Sequence, residues 1–524
     1  MKKAVDPWKY EKFLFALFVV LTALPVLCSP YFPTVDGPAH LHNGNLLKHL
    51  FFLGNDFGRA FFDINKQLNS NFLDHAWFAF LGLFLPASLV EKSILLTYII
   101  SLPFSFRYLV KKLVNNDASA KLSSYLIFPF VYSFTFRIGF FNFCLGIPVL
   151  FWVLGYWTAN REQLSRKKLL VLAALSTLLY ITHIFNFMLW GIILFVNESQ
   201  YILYARTLKG ALKKLVPVVL MLVPGLLLSL VFFISNSGYH HEAPVYLPFD
   251  RLFWTILDLS PIITLSYERE FAYAQIISYA LAVLLLLVII DYFRKRKTET
   301  AFRPLWIFPA TVVLILFFIF PDWIASGGFI SIRWALYFFL VLIVLIAAKA
   351  LPAKQLALPV IAILITHLFF LNYHNEQTKT LSADAEILTE AEHFMDDNSV
   401  LLPLNYSGNW IQINHACYMS THKNIINLDN YEATKPHFPL IWKTGEQVYD
   451  LMPGYGNRMP PCINIDAYEK ATKHRIDYIS RFAYEEKTID SCVSNVEKEI
   501  SERFEPVYQS ANKKLQLYKR KPGT

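Results

Sequence analysis

Residues 73–90, Leu73-Asp74-His75-Ala76-Trp77-Phe78-Ala79-Phe80-Leu81 running on through Gly82 to Val90, decide how this chain crosses a bilayer. They are one of twelve apolar runs; the others lie near 13–30, 93–110, 121–136, 140–158, 168–184, 186–203, 215–234, 273–291, 304–320, 333–350 and 355–372. Such runs approach the length needed to cross a hydrocarbon core of about 30 Å. The links between them are basic: Arg107/Lys111/Lys112, Arg161/Arg166/Lys167/Lys168, Arg206/Lys209/Lys213/Lys214, Arg294 to Lys297, and Lys349/Lys354. Lysines and arginines flanking spans stay cytoplasmic, and Lys2, Lys3, Lys9 and Lys12 put the N-terminus there too. Twelve full spans break that rule, because Arg107 then lies outside. With Asp74 and His75 at its head, the run 73–90 therefore reads as a helix lying in or dipping into the outer leaflet. That leaves about eleven spans and one long external loop at 30–92, with residues 42–52 as a second, amphipathic interfacial helix.

Hydrophobic residues make up 55% of the chain and charged ones 17%, which sets the class as an α-helical polytopic membrane protein. The net charge of +9 resides largely in the inter-span links, so nucleic acid is excluded as a partner. The run Phe13–Leu27 follows lysines as a secretory signal does. The segment Cys28-Ser29-Pro30 lacks small residues at the positions a peptidase reads, so the run is expected to stay as an anchor. The five cysteines show no CxxC spacing, which argues against a zinc finger or a thioredoxin-like motif. Two of Cys417, Cys462 and Cys492 are open to an external disulfide, with the pair unassigned.

Residues 1–372 form the membrane part, and residues 373–524 change character. Val400–Leu404 and Ile476–Ser480 read as buried strands, Ala383–Met395 as an amphipathic helix, and Phe504–Tyr508 with Leu515–Tyr518 as a terminal hairpin. A compact α/β domain follows, placed outside by the odd span number. It has no Gly-rich phosphate loop, which disfavours a nucleotide-sugar donor.

The segment Thr34-Val35-Asp36-Gly37-Pro38-Ala39-His40 puts a carboxylate at the outer membrane surface, where an unpaired charge is costly without a task or a partner. Asp, Gly and Pro also make a good exit turn, and both readings of Asp36 stand. His40 lies four residues on, on the same face if the segment is helical, and is placed to orient that carboxylate. Asp74 and His75 form a second polar pair, suited either to an acceptor pocket or to helix capping. Arg333 follows a Gly-Gly pair that would let backbone approach a ligand. Arg137 fits either a phosphate or an anchor at the membrane surface, and His183 either lines a cavity or packs among apolar residues. His240-His241-Glu242 lacks the HExxH spacing of a zinc site, and Asp322 is an alternative second carboxylate.

A first span, a large external loop opening on an acidic motif and holding two interfacial helices, many further spans and a C-terminal outer domain together resemble the GT-C superfamily. Its members, polyprenyl-phosphate-dependent glycosyltransferases, include protein O-mannosyltransferases, aminoarabinose transferases of lipid A and oligosaccharyltransferases. The resemblance covers residues 1–372. Asp36 stands at the family's first-loop acid, and Asn71–Ala87 at its interfacial helix. Tyr180-Ile181-Thr182-His183 is similar to its Leu-Thr-Lys hairpin apex, and Gly327–Trp334 resembles the stretch whose arginine faces the lipid phosphate. Phe136–Asn142 departs from the pattern by lacking the second acid, so no metal and no cofactor are expected.

The resemblance implies inverting transfer of a sugar from a polyprenyl-phosphate donor to an extracytoplasmic glycan, lipid or protein acceptor, within the cell membrane. It makes Asp36 the general base supported by His40, puts Arg333 and Arg137 on the donor phosphate, and leaves Asp74, His75 and His183 to the substrate pocket. A flippase for a lipid-linked glycan and a non-catalytic scaffold are the other classes. The internal repeats and mid-membrane charges that mark transporters are not visible in the sequence.

Overall fold

The computed structural model describes residues 8–67, 69–205, 208–236, 243–295, 305–324, 327–443, 445, 464–484 and 491–524. Its helices are α1 (Glu11–Leu27), α2 (Gly37–Phe51), α3 (Leu73–Leu81), α4 (Ala87–Leu113), α5 (Asp117–Ser123), α6 (Phe134–Ile138), α7 (Phe141–Asn160), α8 (Arg166–Thr182), α9 (Ile184–Ala205) and α10 (Leu208–Asn236). They continue as α11 (Phe249–Leu257), α12 (Tyr267–Lys295), α13 (Ile307–Ile319), α14 (Ile330–Ala348) and α15 (Ala353–Ala391). The chain divides into two compact units, Met1–Pro25 with Leu96–Asn375, and Val26–Leu95 with Glu376–Thr524.

Among the described residues, α4, α7, α10, α12, α14 and α15 are long and apolar enough to cross a membrane. In the first unit α7 and α14 are enclosed by neighbouring helices, whereas α10 and α12 turn apolar faces outward. Leu227, Leu230, Phe233 and Ile234 of α10 are all more than half exposed. A contiguous apolar face of that kind suits hydrocarbon rather than water.

Several expected spans differ in form. Helices α1 and α8 have 17 residues each and α13 only 13. The run 121–136 is not one helix: α5 gives way to a 3₁₀ segment, Ser124–Phe130, and then to the short α6. Pro129 withholds a backbone donor from that stretch. The Ser133 side chain starts α6 afresh by accepting from the Phe136 amide, and Gly139, at φ 103°, ends it.

The second unit joins the 26–95 segment to the C-terminal residues, whereas the sequence division kept that segment with the membrane part. The reason is a shared apolar core: Leu46, Leu47 and Leu50 of α2 and Phe61 and Phe62 pack with residues such as Leu402, Ile426 and Trp442. A two-stranded sheet reinforces it, β1 (Phe62–Ile64) lying antiparallel to the later β4 (Leu440–Trp442) with Phe62 opposite Trp442.

The main sheet holds β2 (Ser399–Asn405), β3 (Ile425–Asn427), β5 (Tyr478–Phe482), β6 (Phe504–Gln509) and β7 (Leu515–Arg520), in the order β3-β2-β5-β7-β6. Strands β3, β2 and β5 run parallel, while β7 and β6 close the far edge antiparallel. Helices α16 (Ile465–Thr472) and α17 (Ser491–Arg503) precede β5 and β6. Strand β2 is buried on both faces, which its unbroken apolar run anticipates. Its Pro403 is tolerated because β3 stops pairing at Leu401, whose carbonyl faces β3, so the proline nitrogen two residues on meets no partner strand. The helix expected over 383–395 is not separate: with no Gly or Pro after Pro359, α15 continues to Ala391 and ends in a 3₁₀ turn, Glu392–Phe394. Cys417 is a buried free thiol, and the side chains of Cys462 and Cys492 lie outside the described residues.

The two first-loop helices also differ from the interfacial pair read from sequence. The single helix expected over 73–90 is split: α3 ends at Leu81, and Ala87–Val90 open α4, which leaves α3 a rise of only about 14 Å, too short to cross a bilayer. Helix α2 is enclosed on every side, with 13 of its 15 residues buried. Its polar residues find partners inside: His42 Nδ1 lies 3.0 Å from the Ser420 carbonyl, and Asn45 Nδ2 donates to the carbonyls of Ser420 (3.2 Å) and Lys423 (2.7 Å). Those bonds offset part of the cost of burying what looked like a water-facing stripe.

Helices α2 and α3 touch at Gly44, where a Cβ would sit 2.5 Å from that of Phe78 and 3.3 Å from the Ala79 nitrogen. Gly44→Ala is therefore expected to force the helices apart at a cost of roughly 1–3 kcal/mol, read as a lowered unfolding midpoint of the detergent-solubilised protein. An unchanged midpoint would mean that the crossing relaxes freely.

Candidate functional site

The site begins at the head of α2. Pro38 sits in its first turn, where a missing N–H costs nothing. The capping bond comes from Thr34, whose Oγ1 accepts from the Gly37 amide at 3.0 Å. Asp36 makes no side-chain cap, so its carboxylate is turned to other donors. Asn414 Nδ2 lies 3.3 Å from its Oδ1 and 3.0 Å from the Val35 carbonyl, and the Tyr431 hydroxyl also bonds it. Burial first, then the charges of Asp36 and Glu432, hold the Tyr431 phenol well above its ordinary range, so it remains a donor. Asp36 is only partly buried, in contrast to the rest of the segment around it.

One turn along α2, the His40 ring faces inward. Helix α3 brings Asp74 and His75 in its first turn, and the 3₁₀ turn Glu432–Thr434 brings Glu432. His40 Nδ1 lies 2.6 Å from Glu432 Oε1, and His75 Nε2 lies 2.7 Å from Glu432 Oε2. His75 Nδ1 lies 2.7 Å from Asp74 Oδ1, and His40 Nε2 lies 3.8 Å from Asp74 Oδ2. All four side chains are at most 5% exposed. The Asn43 amide adds a bond of 2.7 Å to Glu432 Oε2 and pairs reciprocally with Asn430.

Burial pushes both imidazoles down, but the carboxylates of Glu432 and Asp74 outweigh it and raise His40 to about 9 and His75 to about 10. Burial likewise favours a neutral Glu432, and His40 and His75 overcome it to hold that carboxyl below its usual range. Without any other ion, the ring is two imidazolium groups against two carboxylates.

Sequence reasoning gave His40 to Asp36 and treated Asp74 and His75 as a separate pair. The structure brings His40, Asp74 and His75 into one cluster, with the His40 imidazole engaged by Glu432. Asp74 is not the N-cap of α3, a position held by Phe72, although its Oδ1 accepts from the His75 amide at 2.8 Å. Glu432, Asn43, Asn414 and Tyr431 were missed. The polar tetrad Asp429-Asn430-Tyr431-Glu432 shortly after a buried strand was the available signal.

The remaining expected residues lie in the first unit. Arg333 lies 4.2 Å from the Phe140 ring centroid and 5.6 Å from those of Phe143 and Phe185. His183 meets the last two rings as well, at 5.4 and 5.6 Å, so the two carried-over motifs converge on one aromatic wall. Gly328 makes room for Trp323, whose ring a Cβ would meet at 2.2 Å.

Arg137 is 1% exposed, which removes the surface-anchor reading. Its Nη2 lies 3.1 Å from His374 Nδ1, and His374 Nε2 lies 2.9 Å from Glu270 Oε1. Asp322 caps α14, its Oδ1 accepting from the Ser331 amide at 3.0 Å. His240, His241 and Glu242 lie outside the described residues.

A scan against protein-family models and a search of curated proteins both find no match to this chain.

Glu432→Gln strips one charge from a buried ring in which two histidines share that carboxylate. Unfolding stability is expected to fall by roughly 3–5 kcal/mol, and a double-mutant cycle with His75→Gln to show coupling well above that of an exposed pair. Additive losses would mean that the two side chains do not act together.

Proposed function

We propose that this chain is an integral-membrane glycosyltransferase that moves a sugar from a polyprenyl-phosphate donor to an acceptor on the far side of the cell membrane. The observation that carries this reading is Asp36: a partly exposed carboxylate at the head of an otherwise enclosed helix, released from capping by Thr34 and oriented by Asn414 and Tyr431. A general base needs that combination of access and fixed direction.

In the proposed step the acceptor hydroxyl or amine gives its proton to Asp36 as its lone pair attacks the anomeric carbon. The bond from that carbon to the phosphate oxygen breaks, the configuration inverts, and polyprenyl phosphate leaves. The leaving phosphate is assigned to Arg333 on the strength of the Gly327–Trp334 resemblance. The Arg333 guanidinium lies against the Phe140 ring, and a planar, permanently charged fork is the group suited to stabilise a leaving phosphate. The reading includes about eleven spans, a cytoplasmic N-terminus and an extracytoplasmic C-terminal domain, from the positive-inside pattern.

The test is transfer from a radiolabelled polyprenyl-phosphate sugar pool in membranes carrying the wild type or Asp36→Asn. Loss of a general base is expected to lower transfer by about 10²–10⁴-fold with expression and fold unchanged. Wild-type rates in that variant would remove Asp36 from catalysis, and no transfer by the wild type from any of several donor sugars would remove the reading itself. Arg333→Ala is expected to weaken binding of a polyprenyl-phosphate analogue by tenfold or more, as loss of a charge-assisted contact of about 1.5–3 kcal/mol requires.

A further inference from the structure

His40, His75 and Glu432 do more in this geometry than fill a polar corner. They come from α2, α3 and the turn at 432, and each offers one donor atom such that the three lie within 4.8 Å of one another. We propose that these three side chains hold one divalent transition-metal ion, of which zinc is the fitting example, cross-linking α2, α3 and the Glu432 turn. The proposal does not depend on which reaction the protein performs.

The donor set argues for the metal class. Two imidazole nitrogens and one carboxylate oxygen suit zinc and its neighbours, whereas calcium and magnesium favour all-oxygen shells. The groups behind the donors argue more strongly. Histidines that ligate metals characteristically pass their other ring N–H to a carboxylate, which fixes the tautomer and the ring plane. His75 has that arrangement: Nδ1 meets Asp74 at 2.7 Å, which leaves Nε2, 2.7 Å from Glu432 Oε2, as the nitrogen that would turn to the ion. Glu432 is braced in turn by Asn43, itself locked to Asn430. Phe438 walls the cluster, its ring centroid 5.6 Å from that of His75 and 6.0 Å from that of His40. An ion there would be shielded from water.

Charge completes the argument. With both imidazoles neutral, as ligation requires, the four side chains carry −2, which an enclosed site does not sustain uncompensated. One divalent cation cancels it. Two protons would do the same, so the experiment has to separate the two fillings.

The full chain, purified in detergent without a polyhistidine tag, is stripped with chelator, reloaded with zinc and dialysed. Metal content is then measured by mass spectrometry and the coordination by X-ray absorption. About one zinc per chain is expected, with two imidazoles and one or more oxygens at roughly 2.0–2.2 Å. Reloading should also raise the unfolding midpoint, and His40→Gln or His75→Gln should lose bound zinc by tenfold or more. Failure of the wild type to retain zinc after reloading would overturn the proposal in favour of the proton-filled ring. Full retention in the His40→Gln/His75→Gln double variant, or a sulfur-dominated shell, would also overturn it. Wild-type metal content and spectrum decide the question even if a variant fails to fold, and neither readout uses sugar transfer.

Discussion

Glu432 meets an imidazole nitrogen with each of its oxygens, and the placement of α2 and α3 depends on that bridge. A helix with His40, His42, Asn43, Asn45 and His49 is costly to bury unless its side chains find hydrogen-bond partners inside. Glu432 takes His40, the 420–423 backbone takes His42 and Asn45, and Asn430 takes Asn43. With those bonds in place the leucines of α2 can join the sheet's core at a net gain. Asp36, at the start of the same helix, inherits a fixed position from that packing.

The first unit solves a related problem in apolar surroundings. Charges buried among spans survive when paired, and here Arg107 grips Glu11 through two bonds of 2.6 Å. Arg137 reaches Glu270 through His374, and Glu270 also accepts from the Leu265 amide at 2.8 Å. Arg333 is accommodated differently, against aromatic faces. The donor-phosphate role proposed for Arg333 rests on the Gly327–Trp334 resemblance, while Arg137 is tied to His374 and, through it, to Glu270.

Much of the second unit's sheet was legible. Strands β2 and β5 and the β6–β7 hairpin sit within a residue or two of their apolar and turn patterns, because local period and burial agree there. The first-loop helices were legible as helices but not in their surroundings. The spacing of leucines with His and Asn in α2 is the same whether the polar stripe meets headgroups or buried carbonyls. The broken run at 121–136 failed for a similar reason: its apolar composition satisfies a span, and Pro129 with Ser133 decides otherwise only once neighbouring helices enclose it.

Composition and periodicity alone determined a mostly helical, apolar chain able to enter a membrane, a sheet near its C-terminus, and a short set of polar residues out of keeping with their neighbours: Asp36, His40, Asp74, His75, Arg333. Tertiary structure decided which of them meet. His40 and Glu432 are 392 positions apart in sequence, and no local pattern encodes a contact made by closing so long a loop. That pairing follows from the shared burial of α2 and the sheet. The energy of a buried charge depends on its three-dimensional neighbours, not on its place along the chain.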